Sequence, residues 1–308
     1  MERSFHSNGK LLLTGEYLVL DGAEALAIPT QKGQELRVKA TGNHGLQWSS
    51  YDHKGALWFT ADFDLARMSE PITDDPVKEQ LRKLLSSCLA LNPQFALELK
   101  STEATTHLEF PREWGLGSSS TLINNLAQWA EVDPFALLDA AFGGSGYDIA
   151  CAYSSGPIRY QKRSSEERLV TPISLDWPFT DRLYFVYLNQ KMNSKLGIAR
   201  YRSKSKPQAK IFETVNGLGE QLVLTRSKDE FDSLMLQHEE LIAQVIDQPR
   251  IQSELFPDYQ AGIIKSLGAW GGDFVLVSGD DTTASYFSSR GYKTIIPFKE
   301  MVIKKPRS

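Results

Sequence analysis

Residues 114–121 read Trp-Gly-Leu-Gly-Ser-Ser-Ser-Thr, and apolar side chains then recur at Leu122, Ile123, Leu126, Trp129 and Ala130. That spacing is the one-sided stripe of an amphipathic helix. A glycine-rich turn therefore feeds a helix whose first positions are hydroxyl residues, a typical helix start. Glycines at Gly115 and Gly117 let backbone approach an anion closely. The helix start adds unpaired N–H groups and a partial positive charge, which suit phosphate. Ser118, Ser119 and Ser120 add hydroxyls that can donate to phosphate oxygens or bind magnesium. The plain alternative is a capped helix after a turn. The loop is no Walker A motif, because Gly-Lys-Ser/Thr does not follow. Nor is it a protein-kinase loop, since neither His-Arg-Asp nor Asp-Phe-Gly occurs in the chain.

Two further glycine turns stand far from the first. Gly143-Gly144-Ser145-Gly146-Tyr147-Asp148-Ile149-Ala150 puts an acid at a helix start. Asp148 either favours the helix N-terminus electrostatically or is a catalytic base presented by the turn. Leu267-Gly268-Ala269-Trp270-Gly271-Gly272-Asp273-Phe274 leads into an apolar run. There the glycines permit either a tight helix–strand turn or close approach of backbone to a ligand. One phosphate-rich ligand would account for all three turns.

A net charge of −4 on 308 residues argues against a dedicated nucleic-acid binder. Two cysteines, Cys88 and Cys151, exclude a disulfide scaffold and read as small packed residues in a reducing compartment. The five histidines lack metal-ligand spacing. No run reaches the roughly 18 apolar residues of a membrane helix, and residues 1–10 carry no secretory pattern. A cytoplasmic protein, monomer or homodimer, is expected, with a small-molecule partner and neither nucleic acid nor membrane.

Periodicity predicts strands at Lys10–Leu13, a hairpin of Leu36–Ala40 with Leu46–Ser50, and strands at Ala56–Thr60 and Phe95–Leu99. Further strands are expected at Ile158–Gln161, Leu169–Ile173, Leu183–Leu188, Phe274–Val277 and Thr294–Ile296. Helices are expected at Pro76–Leu91, Pro134–Phe142, Asp229–Ile246, Asp258–Leu267 and Thr282–Arg290. The Asp176–Phe179 segment reads as a joint, giving domains 1–176 and 177–308, the second an α+β sandwich.

With the motifs in view, the sequence resembles the GHMP small-molecule kinases, the superfamily of galactokinase, homoserine kinase, mevalonate kinase and phosphomevalonate kinase. Ser7–Gly22 is similar to the family's N-terminal motif, Gly115–Ser119 to its ATP-phosphate loop and Gly268–Phe274 to its third motif. Gly146-Tyr147-Asp148-Ile149-Ala150 matches a bacterial branch named for those five letters, GYDIA. The resemblance implies an α+β two-domain GHMP kinase fold: an N-terminal α/β ATP-binding domain and a ferredoxin-like α/β sandwich C-terminal domain. It implies ATP and magnesium as cofactors, held by Gly115, Leu116, Gly117, Ser118, Ser119 and Ser120, with Ser119 on the metal. It makes Asp148 the base, Lys10 its catalytic assistant, and Glu16, Tyr17, Gly271 and Gly272 substrate residues. One departure stands out. Leu137 occupies the position of the magnesium-binding glutamate of mevalonate kinases, and Asp139 is two residues out of register.

The resemblance also bears on the acceptor. Mevalonate kinases usually have His where Tyr17 stands, and Gly-Glu-Tyr is closer to phosphomevalonate kinases. From Arg182 to Phe212 basic residues recur and acids are absent, either a solvated face or a patch for an anion. Lys191, Ser194 and Lys195 follow the Leu183–Leu188 strand, a junction that faces the acceptor in the family. The implied activity is ATP-dependent phosphorylation of a small anionic alcohol or phosphate acceptor, mevalonate or phosphomevalonate. Diphosphomevalonate decarboxylase and a non-catalytic ligand sensor are the alternatives.

Overall fold

The computed structural model describes residues 2–42, 44–191, 194–204 and 206–303; the side chains of Ser194 and Lys195 lie outside the described residues. The chain forms two compact units. The first contains residues 1–9, 32–112 and 116–153; the second contains residues 10–31, 113–115 and 154–308.

In chain order, the segments up to residue 153 supply strands β1 (Glu2–Leu12), β2 (Glu24–Ala40), β3 (Gly45–Tyr51) and β4 (Leu57–Phe63). Helices α1 (Pro76–Leu91) and α2 (Phe95–Leu99), strand β5 (Ser101–Leu108), and helices α3 (Ser118–Ala130), α4 (Pro134–Ala141) and α5 (Tyr147–Tyr153) follow. Strands β1 and β2 each pass from one unit into the other, at Gly9/Lys10 and Gln31/Lys32.

In the first unit the strand order is β4-β3-β5-β2. Trp48 on β3 and Val38 on β2 both face Ala104 of β5, the first pair parallel and the second antiparallel. The hairpin expected of Leu36–Ala40 with Leu46–Ser50 is thus not made, because β5 inserts between the two strands. Strands β2 and β3 run in opposite directions, but a reversal of the chain does not choose its neighbour. Alternating apolar residues on these strands meet α1, α3 and α4 in one core that includes Trp48, Leu85, Phe95, Leu126 and Trp129. Asp75 and Asp133 cap α1 and α4 by accepting from first-turn amides, each just ahead of a proline.

The second unit pairs Glu24–Ala27 of β2 with β6 (Ile158–Lys162), and β6 with β7 (Arg168–Pro172). It also contains β8 (Leu183–Tyr187), α6 (Ser194–Arg202), α7 (Ala209–Leu224), α8 (Lys228–Ile246) and α9 (Ile251–Leu255). Strand β9 (Ile264–Ser266), β10 (Phe274–Ser278), α10 (Thr283–Ser289), β11 (Ile295–Pro297) and α11 (Phe298–Met301) complete it. The sheet order is β11-β8-β10-β9, every neighbour antiparallel. Counting these strands along the chain gives fourth-first-third-second, the ferredoxin-like arrangement expected of this part of the chain. Strand β10 is buried throughout, as its unbroken apolar run Phe274–Val277 requires.

Two further sequence expectations fail. Phe95–Leu99 is a helical turn, with Phe95 and Leu99 buried and Leu97 68% exposed. Apolar residues four apart share a helix face, and that pairing overrides the apparent alternation. Asp258–Leu267 is no helix; it is a turn followed by β9. There β-branched Ile263 and Ile264 pair with β10 instead of stacking on a helix.

Candidate functional site

The first unit presents a helix start and an acid. Gly117 caps α3 in the left-handed region, φ 88°, without a side-chain cap. The amide of Thr121 bonds the Gly117 carbonyl, so the amides of residues 118–120 have no intrahelical acceptor. Ser119 is exposed, Ser118 half-buried and Leu116 buried. Ser120 is buried and turns its hydroxyl inward onto the Gly117 carbonyl at 2.8 Å. What this helix start presents to an anion is therefore its backbone amides plus the hydroxyls of Ser118 and Ser119.

A polar network fixes this helix. Ser7 Oγ donates to Asn125 Oδ1 at 2.6 Å and accepts from Asn124 Nδ2 at 2.8 Å. Asn125 Nδ2 donates to the Gln34 carbonyl at 2.9 Å, and Thr121 Oγ1 to Gln34 Oε1 at 2.7 Å. All of these side chains are buried. Helix α5 packs against α3 and carries half-buried Asp148 in its first turn, where Asp148 Oδ1 accepts from the Ile149 amide at 3.0 Å. Gly144 and Gly146, both at positive φ, shape the turn before it. Beside Ser118 and Ser119 opens a cavity of about 160 Å³, lined also by Trp58, Gln80, Arg112 and Phe142. The Arg112 guanidinium lies 3.7 Å above the Trp58 ring.

In the second unit, Lys10 Nζ donates to the Gly115 carbonyl at 2.9 Å. Gly115 has φ 65°, and the Asp273 carboxylate lies against its Cα; a Cβ there would sit 2.2 Å from Asp273 Oδ2. Trp114 meets the Phe274 ring edge-on at 5.4 Å. Trp114 and Gly115 are thus gripped by Lys10, Asp273 and Phe274. Asp273 itself has φ 54°, a left-handed value rare outside glycine.

Glu16 and Tyr17 lie in a tight turn. Tyr17 has φ 63° and ψ −47°, a conformation that costs about 1–3 kcal/mol and persists only where neighbours over-determine it. The Gly15 amide donates to His238 Nε2 at 2.9 Å, and Tyr17 Oη accepts from the Trp270 amide at 3.1 Å. Glu16 accepts from Lys265 Nζ, which also donates to the Ser266 carbonyl at 2.8 Å and lies 3.9 Å from Glu239 Oε2. Glu16, His238, Glu239 and Lys265 are all buried. Burial raises the Glu16 carboxyl, the Lys265 charge and hydrogen bond only partly offsetting it. Burial likewise lifts Glu239 to about 7. Burial and the Lys265 charge hold His238 neutral. Because its Nε2 accepts from Gly15, the ring proton sits on Nδ1.

The Gly268–Asp273 turn is held at several points. The Gly271 amide donates to Ser266 Oγ at 3.3 Å, and the Gly271 carbonyl accepts from Gln190 Nε2 at 2.6 Å. Lys191 is exposed. Two other cations of the basic stretch are engaged, Arg202 with Asp21 and Lys204 with Asp247.

Several solved structures share this architecture over nearly the whole chain. Streptococcus pneumoniae phosphomevalonate kinase in complex with phosphomevalonate and AMPPNP is 16% identical, with 94% of this chain and 95% of that chain covered and a TM-score of 0.68. L. major mevalonate kinase in complex with R-mevalonate is 17% identical, with 99% and 97% covered and a TM-score of 0.66. Lactococcus lactis galactokinase complexed with galactose is 12% identical, with 100% and 95% covered and a TM-score of 0.66. The chain has the GHMP kinase fold. No family model matches the sequence, and no curated protein matches it.

Within this GHMP kinase fold, Leu137 is fully buried in the first unit's core. Among the described residues no cluster of three or more His, Cys, Asp or Glu could hold a metal, and no helix is long and apolar enough to cross a membrane. The Ser119 hydroxyl is exposed at the start of α3. That suits an ion arriving already ligated by nucleotide phosphates and water.

Sequence reasoning missed Trp58, Arg112, Lys265 and Glu239. Only Lys265 left a signal, a charge inside the apolar run Ile263–Leu267. Such a residue is rarely buried unless paired.

Proposed function

We propose that this protein is a small-molecule kinase that transfers the terminal phosphoryl group of ATP to a small anionic alcohol or phosphate acceptor, mevalonate or phosphomevalonate foremost. The observation that carries the reading is the pairing, within one unit, of the uncapped α3 amides with Asp148 on the adjoining helix α5. Amides at Gly117–Ser119 bind the phosphates, while the aromatic cavity beside Ser118 takes the base. Asp148 accepts the proton of the acceptor hydroxyl as that oxygen attacks phosphorus. Lys10 supplies positive charge for the transferring group. Magnesium, when bound with the nucleotide through Ser119, supplies charge neutralisation on the phosphate oxygens. Positioning and electrostatics provide most of the rate in such reactions. On this reading Glu16, Tyr17, Lys191, Ser194, Lys195, Gly271 and Gly272 serve the acceptor.

The test is ADP release against mevalonate, phosphomevalonate, homoserine and galactose. Turnover confined to the amino acid or the sugar overturns the acceptor assignment. Asp148→Asn is expected to retain ATP binding and lose roughly 10²–10⁴-fold in rate; near-normal turnover removes Asp148 from its role. Buried Leu137 favours one second reading, a ligand sensor, which would bind ATP and phosphorylate none of the panel.

A further inference from the structure

Strand β9 touches both turns that the proposed function assigns to the acceptor. Lys265 reaches Glu16 in the first, and Ser266 Oγ accepts from the Gly271 amide in the second. The turns are joined again by Tyr17, whose hydroxyl accepts from the Trp270 amide. The strained Tyr17 backbone is therefore pinned at the two residues just before it: at Gly15 by His238 and at Glu16 by Lys265.

The pinning cluster is not a well-balanced ion pair. Two carboxylates, Glu16 and Glu239, share one ammonium, and Glu16 Oε2 and Glu239 Oε2 have no hydrogen-bond partner among the described residues. A buried pair so imperfectly satisfied contributes little stability over an apolar replacement. Its distinctive contribution is directional, because it fixes where the Glu16 backbone lies.

We propose that Lys265 is a positioning residue for the acceptor. Through Glu16 it holds the Gly15–Tyr17 turn in its strained form, and through Tyr17 it fixes the Trp270 amide and the glycines that follow. This rests on the reading that both turns serve the acceptor. Glu239 and His238 complete the cluster, Glu239 from the far side of the ammonium and His238 on the Gly15 amide.

The experiment compares the chain carrying Lys265→Met with the double variant Lys265→Met/Glu16→Gln, which also removes the carboxylate that loses its hydrogen-bonded ammonium. Two measurements are made: hydrogen exchange of peptides covering residues 13–18 and 267–273, and KM for the acceptor and for ATP. The single variant is expected to raise acceptor KM roughly tenfold or more, leave ATP KM within about twofold, and speed exchange in both turns. The double variant is expected to recover thermal stability but neither acceptor KM nor protection. If it recovers all three, Lys265 merely neutralises a buried charge and the proposal is overturned. Unchanged exchange at 267–273 in the single variant overturns it as well. If no acceptor in the panel is turned over, the kinase reading falls, and the exchange data still decide the role of Lys265.

Discussion

Glu239→Gln should make this protein more stable at alkaline pH. Glu239 is buried, its Oε1 accepts from the Ser266 amide at 3.2 Å, and burial lifts its carboxyl from 4.5 to about 7. The folded chain thus holds a proton that the unfolded chain releases. Stability from this group is fully present below about pH 4.5, falls as pH rises toward 7, and is level above that. A rise of that size corresponds to about 3 kcal/mol. Glutamine keeps the oxygen that serves Ser266 and cannot ionise. Urea unfolding of both proteins between pH 5 and 8.5 should give stabilities within about 1 kcal/mol of each other at pH 5. A gap of about 3 kcal/mol in favour of the variant should open by pH 8. Surface carboxylates titrate alike in both and cancel in the difference. Parallel stability–pH curves, or a variant weaker at pH 8, would refute the reasoning.

Gly115→Ala brings a Cβ to 2.2 Å from Asp273 Oδ2 at a φ of 65°. A loss of about 1–3 kcal/mol is expected, together with a smaller thermal shift on adding ATP; an unchanged melting temperature contradicts the packing described. Asn125→Ala takes away the acceptor of the Ser7 hydroxyl, which keeps its bond from Asn124, and the side-chain donor to the Gln34 carbonyl. Its expected cost is about 1–3 kcal/mol for each buried group left unsatisfied, read from denaturant midpoints at constant slope.

Much of this was legible because the governing interactions are local. Leu122, Ile123, Leu126 and Trp129 announce α3, and the glycines on either side of Leu116 announce its unusual start. Helix α8 was readable from Phe231, Leu234, His238 and Leu241, and His238 is indeed buried on that face. What failed was partner choice. The chain around Gly42–Gly45 says that it turns, but not that a strand some 60 residues later occupies the space between. Phe95, Leu97 and Leu99 satisfy a period of two and a helical turn equally, and only burial separates them. Glu16 carried the motif, while the lysine that holds it lies 249 residues away. No local pattern could supply that partner.

Helix α3 is gripped along its buried side by amides and hydroxyls as well as by hydrocarbon. Apolar surfaces tolerate sliding and rotation, since one methyl group replaces another at little cost. Asn125 allows no such freedom, because a small roll about the helix axis would break its bonds to Ser7 and Gln34 together. A leucine-filled version of this contact would gain in hydrophobic burial and lose its angular setting. The azimuth at which residues 118–120 point their amides is thus dictated within the next two turns of the helix, by buried side chains.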